Sequence, residues 1–244
     1  MDRMIWLSMT GAKALLHRQD TLANNLANAD ATGFRADLAA FRAVPGRQEG
    51  TATTRVWALE ATAGFDAKPG PVRQTGRPLD VAVSGPGWIA VQAVDGEEAY
   101  TRDGSLQVDA EGLLRTSRGQ TVLGDSGPIS IPPGGETAIG ADGIVTVRLS
   151  GQPPFEIGRL KLVNPPASTL RKGEDGLVRT ADRQPATPDP AVRLAERSLE
   201  GSNVNVVEAM VGLIALSRQF EMQMRMLQNA EQNEQRATQL LSRG

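Results

Sequence analysis

With 244 residues, 40% of them hydrophobic, and a net charge of −2, the chain can bury a core in one or two domains. It lacks the surplus of Lys and Arg that general phosphate contact requires, so nucleic acid is not an expected partner. The absence of cysteine removes disulfides, thiolate nucleophiles and Cys-based metal sites together, and no run approaches the roughly 18 apolar residues of a membrane span, so no membrane insertion is expected.

The chain opens on an amphipathic helix, expected from about Asp2 to Asn28. Positions alternately four and three apart read Met1, Ile5, Ser8, Ala12, Leu15, Gln19, Leu22, Leu26 and Ala29, a seam of coiled-coil type. Met4 to Ala12 is mildly apolar and Ala12-Lys13-Ala14 resembles a cleavage site. The seam nevertheless runs through that point unbroken to Leu26, so a cleaved signal peptide is not expected. The single histidine, His17, has Asp20 at i+3 as its only carboxylate neighbour and reads as a helix-surface residue. Asn24, Asn25 and Asn28 then crowd a helix end, where Asn is a poor interior residue. Two readings stand for them. One is fraying toward a stop at Gly33. The other is a row of amides, Asn24 and Asn28 on one face, that bonds a neighbouring subunit.

Residues 31–75 have no long period and read as an extended arm or connector, with short extended pieces such as Thr53–Trp57. From Leu79 the signal becomes strands. Leu79–Val83, Trp88–Gln92, Glu98–Arg102, Ser105–Val108, Ile129–Ile131, Ile144–Leu149 and Gly158–Val163 are short apolar runs. Asp-Gly pairs at 95–96, 103–104, 142–143 and 175–176 are hairpin signals. An all-β domain over 76–190 is predicted, with a linker at 191–203. The last helix is expected over 204–244. Ser202 or Asn203 is its predicted cap, and Glu208 follows Asn205 at capping-box spacing. Its seam reads Ala209, Leu213, Leu216, Phe220, Gln223, Leu227, Ala230, Glu234, Ala237 and Leu241. Met210, Met222, Met224 and Met226 widen the apolar surface, either for an adaptable interface or for ordinary packing.

The fold class read from these elements is α+β. Long N- and C-terminal helices (1–30 and 204–244) are expected to pack as an α-helical coiled-coil core around an all-β centre. Burying Leu213, Leu216, Phe220, Leu227 or Leu241 contributes about 1.5–3 kcal/mol each. Ordering the backbone costs about 1–2 kcal/mol per residue. A lone helix of this kind is therefore marginal. The ends need each other and other subunits, and in a free monomer they are expected to be disordered and protease-sensitive.

Chemistry is sparse. No nucleotide-binding glycine motif, zincin motif or nucleophile elbow occurs. Asp95, Glu97, Glu98, Asp103, Asp109 and Glu111 read as solvated turn carboxylates, although Glu98 with Asp103 would be the pair to test in a wall hydrolase. Catalytic, cofactor-binding and metal-binding residues are accordingly none.

Three stretches carry a resemblance. They are Ala23-Asn24-Asn25-Leu26-Ala27-Asn28 followed by Thr32-Gly33-Phe34, Tyr100-Thr101-Arg102-Asp103-Gly104, and Ser202-Asn203-Val204-Asn205-Val206-Val207-Glu208-Ala209-Met210. With them the chain resembles the bacterial flagellar rod and hook proteins over essentially its whole length. The opening Met1-Asp2-Arg3, the run Arg218–Met224 and the overall length point to the proximal-rod members. Ala31 departs from the more usual Thr.

The resemblance implies a structural, non-enzymatic subunit of the basal-body rod. Such a subunit would stack axially on proximal and distal rod proteins and on copies of itself, and transmit motor torque. It implies export through the flagellum-specific type III apparatus without a cleaved signal, and residence in the rod across the periplasm. The expected assembly seam is Ile5, Leu15, Leu22, Leu26, Leu213, Leu216, Phe220, Leu227 and Leu241. Expected subunit-contact residues are Asn24, Asn25, Asn28, Thr32, Gly33, Phe34, Asn203 and Asn205. Met4-Ile5-Trp6-Leu7 and the Phe34/Leu38 pair fit export elements, or Phe34 and Leu38 pack the connector. A distal-rod paralogue and another secreted coiled-coil scaffold are the alternative assignments.

Overall fold

The computed structural model describes residues 2–45 and 56–241. Contacts divide the chain into two compact units. One comprises Met1–Ala27, Asp37–Gly64 and Asn205–Gly244; the other comprises Asn28–Ala36 and Phe65–Val204. Each unit is thus assembled from stretches far apart in sequence.

The first unit holds helix α1 (Asp2–Ala27), helix α2 (Val206–Leu241) and a two-stranded sheet of Asp37–Pro45 with Val56–Phe65. The helices run antiparallel, Gly11 facing Gln223 and Gly212 facing Leu22. A Cβ on Gly212 would come within 2.9 Å of Leu22 Cδ1, so the small residue there sets how closely the helices approach. Ala12, Ala209 and Leu216 are buried, as the seam spacing requires. The fold class needs correction at this point. The protein is α+β with a β centre, but the described residues contain two α-helices and no long coiled-coil core. Leu213, Phe220 and Leu227 stay half-buried. A seven-residue period specifies one apolar stripe. It does not supply the further helices that would cover the stripe along its length.

The second unit is built on a nine-stranded sheet. Its path runs Leu170–Lys172, Val178–Thr180, Glu98–Thr101, Trp88–Gln92, Thr121–Gly124, Leu114–Thr116 and Leu106–Val108, with Gly127–Pro128 and Leu162–Val163 attached. A three-stranded sheet (Glu136–Ile139, Ile144–Arg148, Phe155–Arg159) and two ribbons complete it. The paired strands of this unit are antiparallel. Trp88–Gln92 is covered on both faces. Ile89 and Val91 enter a core with Val81, Leu106, Leu114, Val122 and Val145, while Trp88 and Ala90 pack with Tyr100, Val163 and Val178. That is the two-residue period of a strand sandwiched between two apolar layers.

Three of the four Asp-Gly signals are hairpin turns. Gly96, Gly143 and Gly176 sit at φ of 83°, 84° and 78°, each between strands that pair with each other. Gly104 is different. Glu98–Thr101 and Leu106–Val108 pair with other strands, and a Cβ on Gly104 would run into the Val81 carbonyl. Its role is close backbone approach. Residues 191–203, read as a linker, contain two short strands. Arg193–Glu196 pairs with Val81–Ser84, and Ser198–Glu200 pairs with Val72–Gln74.

Candidate functional site, the terminal motifs and the helix faces

The residues just after α1 and just before α2 meet inside the second unit. Gly33 adopts φ 67°, and a Cβ there would strike the Arg102 carbonyl and the Asp103 amide, so glycine is required. Its N–H donates to the Glu200 carbonyl at 2.8 Å. Phe34 is buried, its carbonyl accepts from Asn203 N–H at 3.3 Å, and the Lys172 ammonium lies 3.9 Å from its ring centre. Asn203 is spent on the same join. Its Oδ1 accepts from Ala36 N–H at 2.7 Å, and its Nδ2 donates to the carbonyls of Asp66 and Lys68 at 2.9 and 3.0 Å. Lys172 Nζ donates to the Arg35 carbonyl at 2.8 Å. Thr32-Gly33-Phe34 and Asn203 are therefore brought together across the sequence.

Under this join lies a charged cluster. Glu200 is fully buried, and Arg35 and Arg102 are 2% and 4% exposed. Arg35 Nη2 donates to Glu200 Oε1 at 2.6 Å and Arg102 Nη1 to Oε2 at 3.0 Å, while Gly70 N–H adds a bond to Oε1 at 2.8 Å. Arg102 also donates to the Val83 and Gly85 carbonyls at 3.2 and 2.8 Å. Two guanidinium groups thus share one carboxylate. Burial pushes the Arg102 pKa down, Glu200 opposes that, and the neighbouring Arg35 adds to the depression. Trp88 presents its ring to both cations, 5.9 Å from Arg35 and 5.3 Å from Arg102, and Phe65 meets that ring edge-on. Sequence reasoning missed Arg35 and Glu200, which lie 165 residues apart. Arg102 stood in plain view within Tyr100–Gly104.

In the first unit, Asn25 is buried and pairs twice with the backbone of Asp37. Its Oδ1 accepts from the N–H at 2.8 Å and its Nδ2 donates to the carbonyl at 2.9 Å. Asn24 Nδ2 donates to Asp37 Oδ2 at 2.7 Å. Two of the three amides therefore work inside the chain. Asn28 follows α1, and its carbonyl accepts from Ala31 N–H at 3.2 Å. The predicted caps are corrected by the geometry of Asn205. Its Oδ1 accepts from Val207 and Glu208 N–H at 3.1 and 3.2 Å, so Asn205 caps α2. Asn203 faces the join and Ser202 accepts from Val204 N–H at 3.2 Å. Leu38 is 44% exposed, whereas Phe34 is buried.

Of the seam residues, Leu216 is buried, and Leu15, Leu22, Leu26, Leu213, Phe220 and Leu227 are half-buried. The side chains of Ile5 and Leu241, like residues 53–55, lie outside the described residues. The far side of α2 carries Val207, Met210, Val211 and Ile214, each about half exposed or more, at i, i+3, i+4, i+7 spacing. Its first turns therefore have two apolar faces.

Glu98 and Asp103, the pair a hydrolase would use, are each held by other groups. Glu98 is held by Lys161 at 2.8 and 2.7 Å and accepts from Tyr100. Asp103 accepts from Ser105 N–H and Ser117 Oγ at 3.0 and 2.8 Å, and burial pushes its pKa up. The two share no partner in these bonds. Among the described residues, no group of three His, Asp or Glu is placed to hold a metal, and no helix is long and apolar enough to cross a membrane.

Two terminal helices, α2 with an exposed apolar face, a β body and motifs spent on joining the chain to itself suit a structural protein. Three family descriptions match in chain order: flagella basal body rod protein over 7–35, flagellar hook protein FlgE/F/G D1 domain over 82–147, and flagellar basal body rod FlgEFG protein C-terminal over 195–240. The chain is 45% identical to the flagellar basal-body rod protein FlgF of Escherichia coli K12, over 99% of both chains. It is 32% identical to FlgF of Caulobacter vibrioides, over 100% of this chain and 99% of that one. It is 34% identical to the rod protein FlgG of Buchnera aphidicola subsp. Schizaphis graminum, over 97% of this chain and 98% of that one. The chain belongs to the flagellar basal-body rod protein family, and within it is FlgF-like.

Proposed function

We propose that the chain is a structural, non-enzymatic subunit of the flagellar basal-body rod, placed in its proximal part. The observation that carries this is similarity to rod proteins over 99% of the chain, combined with the exposed apolar stripe of Val207, Met210, Val211 and Ile214 on α2. In this reading α1 and α2 pack against other rod subunits, contacts repeat head to tail along the axis, and the stack transmits torque. The ends order fully only against those neighbours. Delivery through the flagellar export apparatus, without a cleaved signal, and residence across the periplasm belong to the same reading. Because Phe34 is buried, an export element that includes it is read before the chain folds.

The test is a Leu216→Asp chain in a strain lacking the wild-type protein. Loss of motility and of incorporation into basal bodies is expected, with the β unit still folded by circular dichroism. Retained motility would sink the helix-packing reading. The alternative, a distal-rod assignment, predicts instead that basal bodies from the deletion strain keep a complete proximal rod.

A further inference from the structure

The Arg35–Glu200–Arg102 cluster is asymmetric. Arg102 belongs to the β framework, and it bonds Glu200 and two carbonyls of that framework, Val83 and Gly85. Glu200 keeps Gly70 N–H and Arg102 whether or not Arg35 is present. Arg35 arrives on a segment, 31–36, that forms no strand, and it is the surplus cation of the cluster. Its Nε and Nη1 are buried without a partner among the described residues. Its place is thus supported on one side and costly on the other, because buried donors left unpaired are penalised.

The other ties of the segment are the hydrogen bonds of Gly33 N–H to Glu200, Ala36 N–H to Asn203, Asn203 N–H to Phe34, Asp66 N–H to the Ala36 carbonyl and Lys172 to the Arg35 carbonyl, with the buried Phe34 ring against Lys172 and the Arg35 guanidinium against Trp88. We infer that residues 31–36 form a latch on the second unit. Glu200 is its positioning residue, Arg102 the permanent counter-ion and Arg35 the releasable one, so the latch opens while the β framework stays folded. The segment directly follows α1 and is tied to the residues that directly precede α2. Its opening releases residues 31–36 from Glu200, Asn203 and Lys172 without unfolding the rest of the second unit. This goes beyond the rod reading, which stands or falls separately on motility and incorporation.

Native-state hydrogen exchange on the full chain, read amide by amide by NMR, tests it. Gly33 and Ala36 amides are expected to exchange at least about tenfold faster than the framework amides of Ala90 and Leu114, which are bonded to Lys161 and Ile129. In Arg35→Ala, exchange at Gly33 and Ala36 is expected to rise a further tenfold or so while Ala90 and Leu114 stay within about twofold. Arg35→Lys is expected to recover most of the lost protection. The latch is overturned if Gly33 and Ala36 exchange at the framework rate in the wild type. It is equally overturned if Arg35→Ala accelerates Ala90 and Leu114 in step with the segment. Should Arg35→Ala fail to fold, the wild-type chain decides alone: Gly33 and Ala36 exchanging at least about tenfold faster than Ala90 and Leu114 supports the latch, and exchange at the framework rate contradicts it.

Discussion

The two units solve the same problem in opposite ways. The second closes on itself. Its sheet is covered on both faces at Trp88–Gln92, and its most buried carboxylate is bonded by Arg35, Arg102 and Gly70. The first stays open. Leu216 is buried, yet Val207, Met210, Val211 and Ile214 face solvent on the same helix. A monomeric soluble protein rarely leaves such a stripe uncovered without a use for it. In the proposed reading the closed unit supplies stability and the open one the surface for assembly.

The largest expected effect is on the closed unit. Glu200→Gln removes the one carboxylate between two buried guanidinium groups, and a loss of about 3–5 kcal/mol is expected in denaturant unfolding. A loss below about 1 kcal/mol would mean that the cluster is solvated in the working protein. Leu216→Ala should cost about 2–5 kcal/mol of helix-pair stability and abolish rod incorporation; normal incorporation would show that the seam is dispensable.

Tyr100 offers a probe of the closed unit by pH. It is the only tyrosine in the chain, and burial first, then the neighbouring Glu98, push its pKa up to about 12, opposed by the Ala186 N–H. The folded pKa lies above the ordinary 10.0. The stabilisation is therefore complete below about pH 10 and is lost as pH rises through about 12. Ultraviolet titration should give a folded midpoint near 12 and an ordinary midpoint once the protein is unfolded. A folded midpoint at the ordinary value would place the hydroxyl in solvent. A smaller effect, about 1 kcal/mol, is expected for Asn205→Ala through loss of the α2 cap. Equal loss in Ser202→Ala would contradict the cap assignment. The smallest effect on monomer stability, within about 0.5 kcal/mol, is expected for Val211→Gln on the open face, with incorporation nonetheless impaired.

What was legible in the sequence follows the same division. Both helices could be read because their apolar residues recur every three to four positions, and three of four hairpin turns because Asp-Gly supplies a positive φ. The failures have physical causes. Gly104 is a glycine for close approach to Val81, which Asp-Gly spacing does not distinguish from a turn. Arg193–Glu196 and Ser198–Glu200 are short strands rich in charge, with no clean alternation. Asn203 and Asn205 have the same capping chemistry, and only the bonds of Asn203 to Ala36, Asp66 and Lys68 show which of them is free to cap. The coiled-coil core was inferred from a period that defines one stripe and leaves the number of helices undefined. Arg35 and Glu200 lie 165 residues apart, and no local pattern marks the pair.

The contrast between a closed and an open unit is tested most directly by a cryo-electron map of isolated basal bodies with this chain traced. The expected result places it in the rod, with Val207, Met210, Val211 and Ile214 against neighbouring subunits and Arg35, Arg102 and Glu200 buried within one subunit. Finding those four residues exposed to solvent in the assembled rod, or Arg35 paired with a carboxylate of another subunit, would contradict it.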